Sequence, residues 1–140
     1  MKKKIIILCL LLALIIIGIV FLNKEKSNLK IYQGNDITLS IKENTLTNTS
    51  ATIIITDNSN KKHTYGNEFL IEKKIKNTWY KLAAQETWWE LIGYEVDENN
   101  KLELTQNWES IYGKLKKGTY RLLKKVDSTN EYIYVEFEIK

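Results

Sequence analysis

Residues 5–22 are eighteen successive apolar or glycine positions behind Met1-Lys2-Lys3-Lys4, and no comparable run recurs. As a helix rising about 1.5 Å per residue it extends about 27 Å, close to the roughly 30 Å of a bilayer's hydrocarbon. From Asp36 the pattern changes to period two. Ile37, Leu39 and Ile41 alternate with Thr38, Ser40 and Lys42, as in a half-buried strand. A β-branched run over 52–56 ends at the turn cluster Asp57-Asn58-Ser59-Asn60. Residues 63–75 read as one strand with Phe69, Ile71 and Ile75 on one face, and 79–83 as another. Residues 86–93 fit either a helical turn or a short strand.

Asp97-Glu98-Asn99-Asn100 turns into a strand over 101–105, and 107–115 reads as an irregular crossing. A strand over 119–126 leads through Asp127-Ser128-Thr129-Asn130 to a last one over 132–139, with Ile133, Val135, Phe137 and Ile139 on one face. About seven to eight strands at spacings of about 8–12 residues predict an all-β sandwich, preceded by one N-terminal transmembrane helix.

A secretory signal peptide shares the layout of the first 22 residues, so cleavage is the rival reading. Its apolar region is about 7–15 residues long and ends in small residues at −3 and −1. The exit Ile19-Val20-Phe21-Leu22-Asn23-Lys24 holds no such pair, and Gly18 at −1 would put Ile16 at −3. Cys9 lies too early for lipidation, with Leu8 where a small residue is needed. The expected organisation is an uncleaved signal anchor over 1–22, a short stalk over 23–35 and one domain over 36–140. Lys24, Lys26 and Lys30 weaken the charge bias of Lys2–Lys4. Segments longer than about 60 residues translocate largely regardless of charge, so the expected location is the cell membrane, single-pass, with the C-terminal domain extracytoplasmic.

Lys plus Arg number 21 and Asp plus Glu 17; without Lys2, Lys3 and Lys4 the balance is 18 against 17. The pI near 9.0 therefore comes largely from the N-terminal flank and gives no footprint for nucleic acid. The 118 residues after position 22 suffice for one domain. The sole cysteine is Cys9, so the domain holds no disulfide, no cysteine zinc site and no thiol nucleophile. Proline is absent, and turns rely on Gly, Asn, Asp and Ser.

Leu115-x-x-Gly118-x-Tyr120-Arg121-Leu122, just before a strand, has the form of a tyrosine corner. Upstream stand Tyr65-Gly66-x-x-Phe69-x-Ile71-Glu72-Lys73, Trp79-x-x-Leu82 and Asn107-Trp108-x-x-x-Tyr112-Gly113-x-Leu115. Together these resemble the small bacterial immunoglobulin-like domains carried by short anchored or lipidated envelope proteins of Gram-positive bacteria. The resemblance covers residues 36–139 and implies an Ig-like β-sandwich, a cell-envelope location and no catalytic residues. The chain departs from lipidated members in lacking a lipobox.

His63, the only histidine, has no Gly-x-Ser-x-Gly or free domain cysteine to work with, and is expected as an exposed edge residue. One histidine is also too few for a usual zinc set. Glu86, Glu90 and Glu109 near Trp88, Trp89 and Trp108 are the residue types of a glycosidase, which needs two carboxylates about 5–10 Å apart; nothing fixes such a pair. The two Asn/Asp clusters lack the ligand alternation of a calcium loop.

Trp79 and Trp108 are expected in the core. Trp88-Trp89 is different, because neighbours on a strand face opposite ways. With Tyr94 they form the candidate binding residues. The expected function is a non-enzymatic, cofactor-free binding or interaction module at the membrane, with no nucleic-acid partner and an envelope protein or cell-wall glycan as the candidate partners. The alternatives are a cell-wall glycan bound by Trp88, Trp89 or Tyr94 and, on fold analogy alone, a proteinase inhibitor.

Overall fold

Alternating inward and outward side chains build two facing sheets. The computed structural model describes residues 2–22, 24–84, 89–126 and 129–140, without the side chains of 19–22. β2 (Ile37–Ile41), β3 (Ser50–Asp57) and β8 (Lys101–Asn107) form a three-stranded sheet in the order β2-β3-β8. The second sheet comprises β1 (Lys30–Ile31), β5 (Leu70–Ile75), β6 (Thr78–Lys81), β9 (Gly118–Lys125) and β10 (Glu131–Ile139), in the order β1-β10-β9-β5-β6. A separate ribbon pairs β4 (Tyr65–Gly66) with β7 (Gly93–Tyr94). Among the described residues all strand pairings are antiparallel except β1 with β10.

Ile37, Leu39, Ile53 and Ile55 face Ile71, Leu122, Ile133 and Phe137 across the core. Each such side chain contributes about 1.5–3 kcal/mol when fully buried. The register sets Ile53 opposite Leu104 and Ile55 opposite Leu102. A slip by one residue would turn both columns to solvent.

Between β8 and β9 the chain crosses from one sheet to the other, and aromatic rings hold the crossing. The Tyr120 hydroxyl donates to the Lys116 carbonyl at 2.6 Å, which is the tyrosine corner expected from the sequence. Its ring stacks on Phe137 at 5.8 Å, and Phe137 stacks on Trp108 at 5.7 Å. Trp108 is fully buried and its indole N–H donates to the Asn48 carbonyl. The irregular crossing contains one helical turn, α2 (Glu109–Tyr112), ended by Gly113 at φ 74°. That left-handed backbone favours glycine. Tyr120→Phe is expected to cost about 1 kcal/mol, since it removes one hydrogen bond and keeps the ring. Urea unfolding of the two proteins measures it, and equal midpoints would deny the corner a stabilising role.

Three expectations change. The single strand over 63–75 is broken into β4 and β5, because the Gly66 and Glu68 carbonyls turn to the buried Lys124 ammonium instead of a neighbouring strand. Burial pushes that ammonium down to about 8, partly offset by Glu68. The stretch expected as a stalk is built into the fold. Lys26 bridges Tyr80 at one edge of the five-stranded sheet, and Lys30-Ile31 pairs with β10 at the other. Between them Ser27 Oγ accepts from Arg121 on the sheet's outer face, so the segment straps across that face.

The third correction concerns the N-terminus, where α1 (Lys2–Leu22) is a helix of 21 residues. Among the described residues no helix is long and apolar enough to cross a membrane. The transmembrane helix of the expected fold is withdrawn accordingly. The fold is an Ig-like β-structure preceded by an N-terminal helix.

Candidate functional site

β3 carries Ala51, Ile53, Ile55 and then Asp57 in one inward column, so a carboxylate ends up where a core residue would sit. Asp57 accepts from the Ser59 amide at 3.0 Å, the Ser59 hydroxyl at 2.6 Å and the Tyr65 hydroxyl at 2.7 Å. His63 Nδ1 adds a contact to Oδ2 at 2.7 Å. His63 is therefore mostly buried, with 12% of its side chain exposed, and not the exposed edge residue expected. Ser, His and Asp thus meet here, but without the geometry of a nucleophile. Ser59 gives its proton to Asp57, and its 3.3 Å contact to His63 falls on the same Nδ1 that faces the carboxylate. The base of a catalytic triad uses its two ring nitrogens for the two partners.

Burial alone would raise the Asp57 carboxyl, yet the hydrogen bonds from Ser59, Tyr65 and His63 outweigh it and hold it at about 2. The unfolded carboxyl, near 4, takes up its proton first as pH falls. The unfolded state then binds more protons, so stability is lost on acidification. About 2 kcal/mol, present in full above about pH 5, is expected to disappear between about pH 4 and pH 2. Urea titrations at stepped pH read this slope, and Asp57→Asn should flatten it. An unchanged slope in the variant would place the acid sensitivity elsewhere.

The remaining motif residues divide between core and outer face. Trp108, Tyr120 and Leu115 are buried in the core, and Tyr112, half-buried, sets its ring 6.3 Å from Phe69. Gly118 opens β9, and Tyr65-Gly66 forms β4. Glu72, Trp79 and Arg121 lie instead on the outer face of the five-stranded sheet. Arg121 Nη2 is 2.6 Å from Glu72 Oε2, with the Trp79 ring at 4.6 Å and the Tyr134 ring at 5.2 Å. Trp79 is thus half-buried against a guanidinium and not part of the inter-sheet core.

The candidate binding residues are separated. Trp88 and Glu86 lie outside the described residues. Tyr94 is half-buried in β7, paired with Tyr65. Trp89 meets Phe69 edge to face at 5.0 Å and lines a cavity of about 260 Å³. Asn67, Gln106, Asn107 and Ser110 supply polar groups to the cavity wall, and Glu90 carries its charge. Gln106 is 2% exposed, and its Nε2 has no hydrogen-bond partner among the described residues. Residues 89–92 are neither helix nor strand, and Leu91 and Ile92 there are exposed. Glu90 and Glu109, weighed above as paired carboxylates, are both exposed, and Glu109 does not line this cavity.

A family model described as bacterial Ig-like domain matches residues 33–138. The chain belongs to the bacterial Ig-like domain family. No curated protein and no solved structure matches it. Domains of this family are generally non-enzymatic, and membership marks the Ig-like domain as an interaction module.

Sequence reasoning placed Trp89 among the binding residues and missed Gln106. A signal was available. Leu102, Leu104 and Gln106 continue one alternating column, and a polar residue in an apolar column stands out by period alone. Ending the strand at 105 hid it.

Proposed function

We propose that this Ig-like domain is a non-catalytic binding module working outside the cytoplasm at the cell membrane, with loop 89–92 as its contact surface. The observation that carries this reading is the exposed Glu90-Leu91-Ile92 segment, where Leu91 is fully exposed beside the Trp89 cavity. Large apolar side chains held out of the core on a loop supported by rigid sheets favour a contact with a partner. The loop is apolar where the other turns are Asn-, Asp- and Lys-rich. The membrane location is supported by α1, whose large apolar side chains from Ile5 to Ile17 are exposed, behind Lys2, Lys3 and Lys4. The absence of catalysis is supported by family membership and by the Ser59–His63–Asp57 geometry.

The test is co-sedimentation of the full chain with isolated cell envelopes, wild type against a Leu91→Asp/Ile92→Asp double variant. Loss of an apolar contact centre is expected to weaken binding at least tenfold, while circular dichroism stays unchanged. Undiminished binding by the variant would remove loop 89–92 from the contact. Protease added to intact cells tests the location, and a domain cut only after lysis would overturn it.

A further inference from the structure

We propose that a cavity between β5 and the crossing segment binds the phosphate group of a small phosphodiester. Lys73 of β5 and Lys114 and Lys116 of the crossing line it, with Leu82, Tyr112 and Tyr120 as its less polar wall. It shares no lining residue with the Trp89 cavity and stands apart from the contact surface proposed above. Among the described residues its lining holds three cations and no carboxylate. A recess of one charge sign with low-dielectric walls concentrates its field on an anion.

These lysines are available to a ligand. Lys73 is half-buried, and Lys114 and Lys116 are exposed. Among the described residues no ion pair involves Lys73 or Lys116. Lys114 stands 3.7 Å from Glu109, a loose pair between exposed side chains that an incoming anion can replace. Lys73 Nζ lies 5.4 Å from the centre of the Tyr120 ring, a contact that favours the cation without neutralising it. Its stem fits beside Gly118, where a Cβ would stand 3.0 Å from Lys73 Cε. Packing, and not a carboxylate, places this ammonium.

The arrangement selects phosphate among anions. Ammonium groups from two elements approach a ligand from different sides. A phosphate directs its oxygens tetrahedrally and accepts from several donors at once, whereas a carboxylate offers two oxygens in one plane. Lysine's compact charge suits phosphate, and nothing in the lining supplies the planar fork that matches a carboxylate. At roughly 30 Å³ per water-sized group, a volume of about 220 Å³ holds more than a phosphate. Leu82, Tyr112 and Tyr120 offer carbon surface to the groups esterified to it. Leu82 follows Lys81, whose amide donates to the Glu25 carbonyl at 2.9 Å, so this wall adjoins the segment that leads in from α1. An anionic lipid headgroup and a soluble phosphodiester share the required chemistry.

The test titrates the full chain, in neutral detergent at low salt, with glycerophosphoglycerol, with short-chain phosphatidylglycerol and with acetate. The backbone amide signals of Lys73, Lys116 and Gly118 report binding. Saturable binding of a phosphodiester is expected, about tenfold or more tighter than acetate. Lys73→Gln/Lys116→Gln should weaken it about tenfold. Lys61→Gln/Lys62→Gln, an equal loss of charge elsewhere, should leave it unchanged. Lys114→Gln/Lys116→Gln alters only exposed side chains and carries the same expected loss should the first variant fail to fold. Tighter binding of the lipid names the membrane as the source, equal binding a soluble diester, and both outcomes support the site. Acetate bound as tightly, no saturable binding, an equal loss in the Lys61/Lys62 control, or unchanged binding by a folded cavity variant would overturn it. Tighter binding of a dinucleotide than of glycerophosphoglycerol would overturn it too.

Discussion

Glu72→Ala is expected to destabilise the domain by about 3–5 kcal/mol, because it leaves the Arg121 guanidinium buried without its counter-charge. Only 1% of the Glu72 side chain and 7% of Arg121 are exposed. Both contacts from Arg121 converge on one oxygen: Nε and Nη2 lie 2.8 Å and 2.6 Å from Oε2. The other oxygen, Oε1, has no partner among the described residues. The pair therefore depends on a single acceptor, and the rings of Trp79 and Tyr134 with the Ser27 hydroxyl cannot replace a carboxylate. A Glu72→Leu/Arg121→Met double variant removes both charges and keeps apolar volume. It should recover most of the loss, since a buried pair seldom outperforms well-packed apolar residues. Urea unfolding at neutral pH measures both. A single variant within 1 kcal/mol of wild type, or a double variant no better than the single, would show that the strap fails to keep water from the pair.

Trp108→Ala is expected to lower stability by about 3–5 kcal/mol through the cavity it opens and the lost contact with Phe137. The ring is fully buried, and its N–H satisfies the Asn48 carbonyl ahead of β3. The same residue immediately precedes α2, so the cavity forms at the crossing between the sheets. Trp108→Phe keeps an aromatic ring and loses the N–H. A smaller cost of about 1 kcal/mol is expected from the one hydrogen bond lost, since the Asn48 carbonyl still accepts from the Leu115 amide. Guanidinium or urea midpoints with matched slopes separate the two effects. Equal losses in both variants would mean that the hydrogen bond, and not the ring volume, holds the crossing.

The strands over 37–41 and 131–139 were legible because each alternates, and the alternation is imposed by the pleat itself. The corner at Tyr120 was legible because its donor and acceptor lie four residues apart. The break inside 63–75 was not, since its cause is Lys124, which reaches Gly66 and Glu68 from more than 50 positions away. Trp79 was misplaced for a similar reason. Its guanidinium partner arrives from β9, and the strap that shelters them comes from residues 24–31. At the candidate site Trp89 could be named from its neighbourhood, whereas Gln106 was passed over because the expected strand ended at 105, one residue short of it.

By itself the sequence determined the β class, the inward columns and the corner, because these follow from backbone period and short-range hydrogen bonding. Only the tertiary structure decided what the polar members of those columns do. Asp57 is surrounded by donors, Lys124 by carbonyls, and Gln106 has no partner among the described residues. A buried polar group takes its meaning from the partners that other strands bring to it. Those partners are fixed by the packing of the two sheets and not by the residues adjacent in the chain.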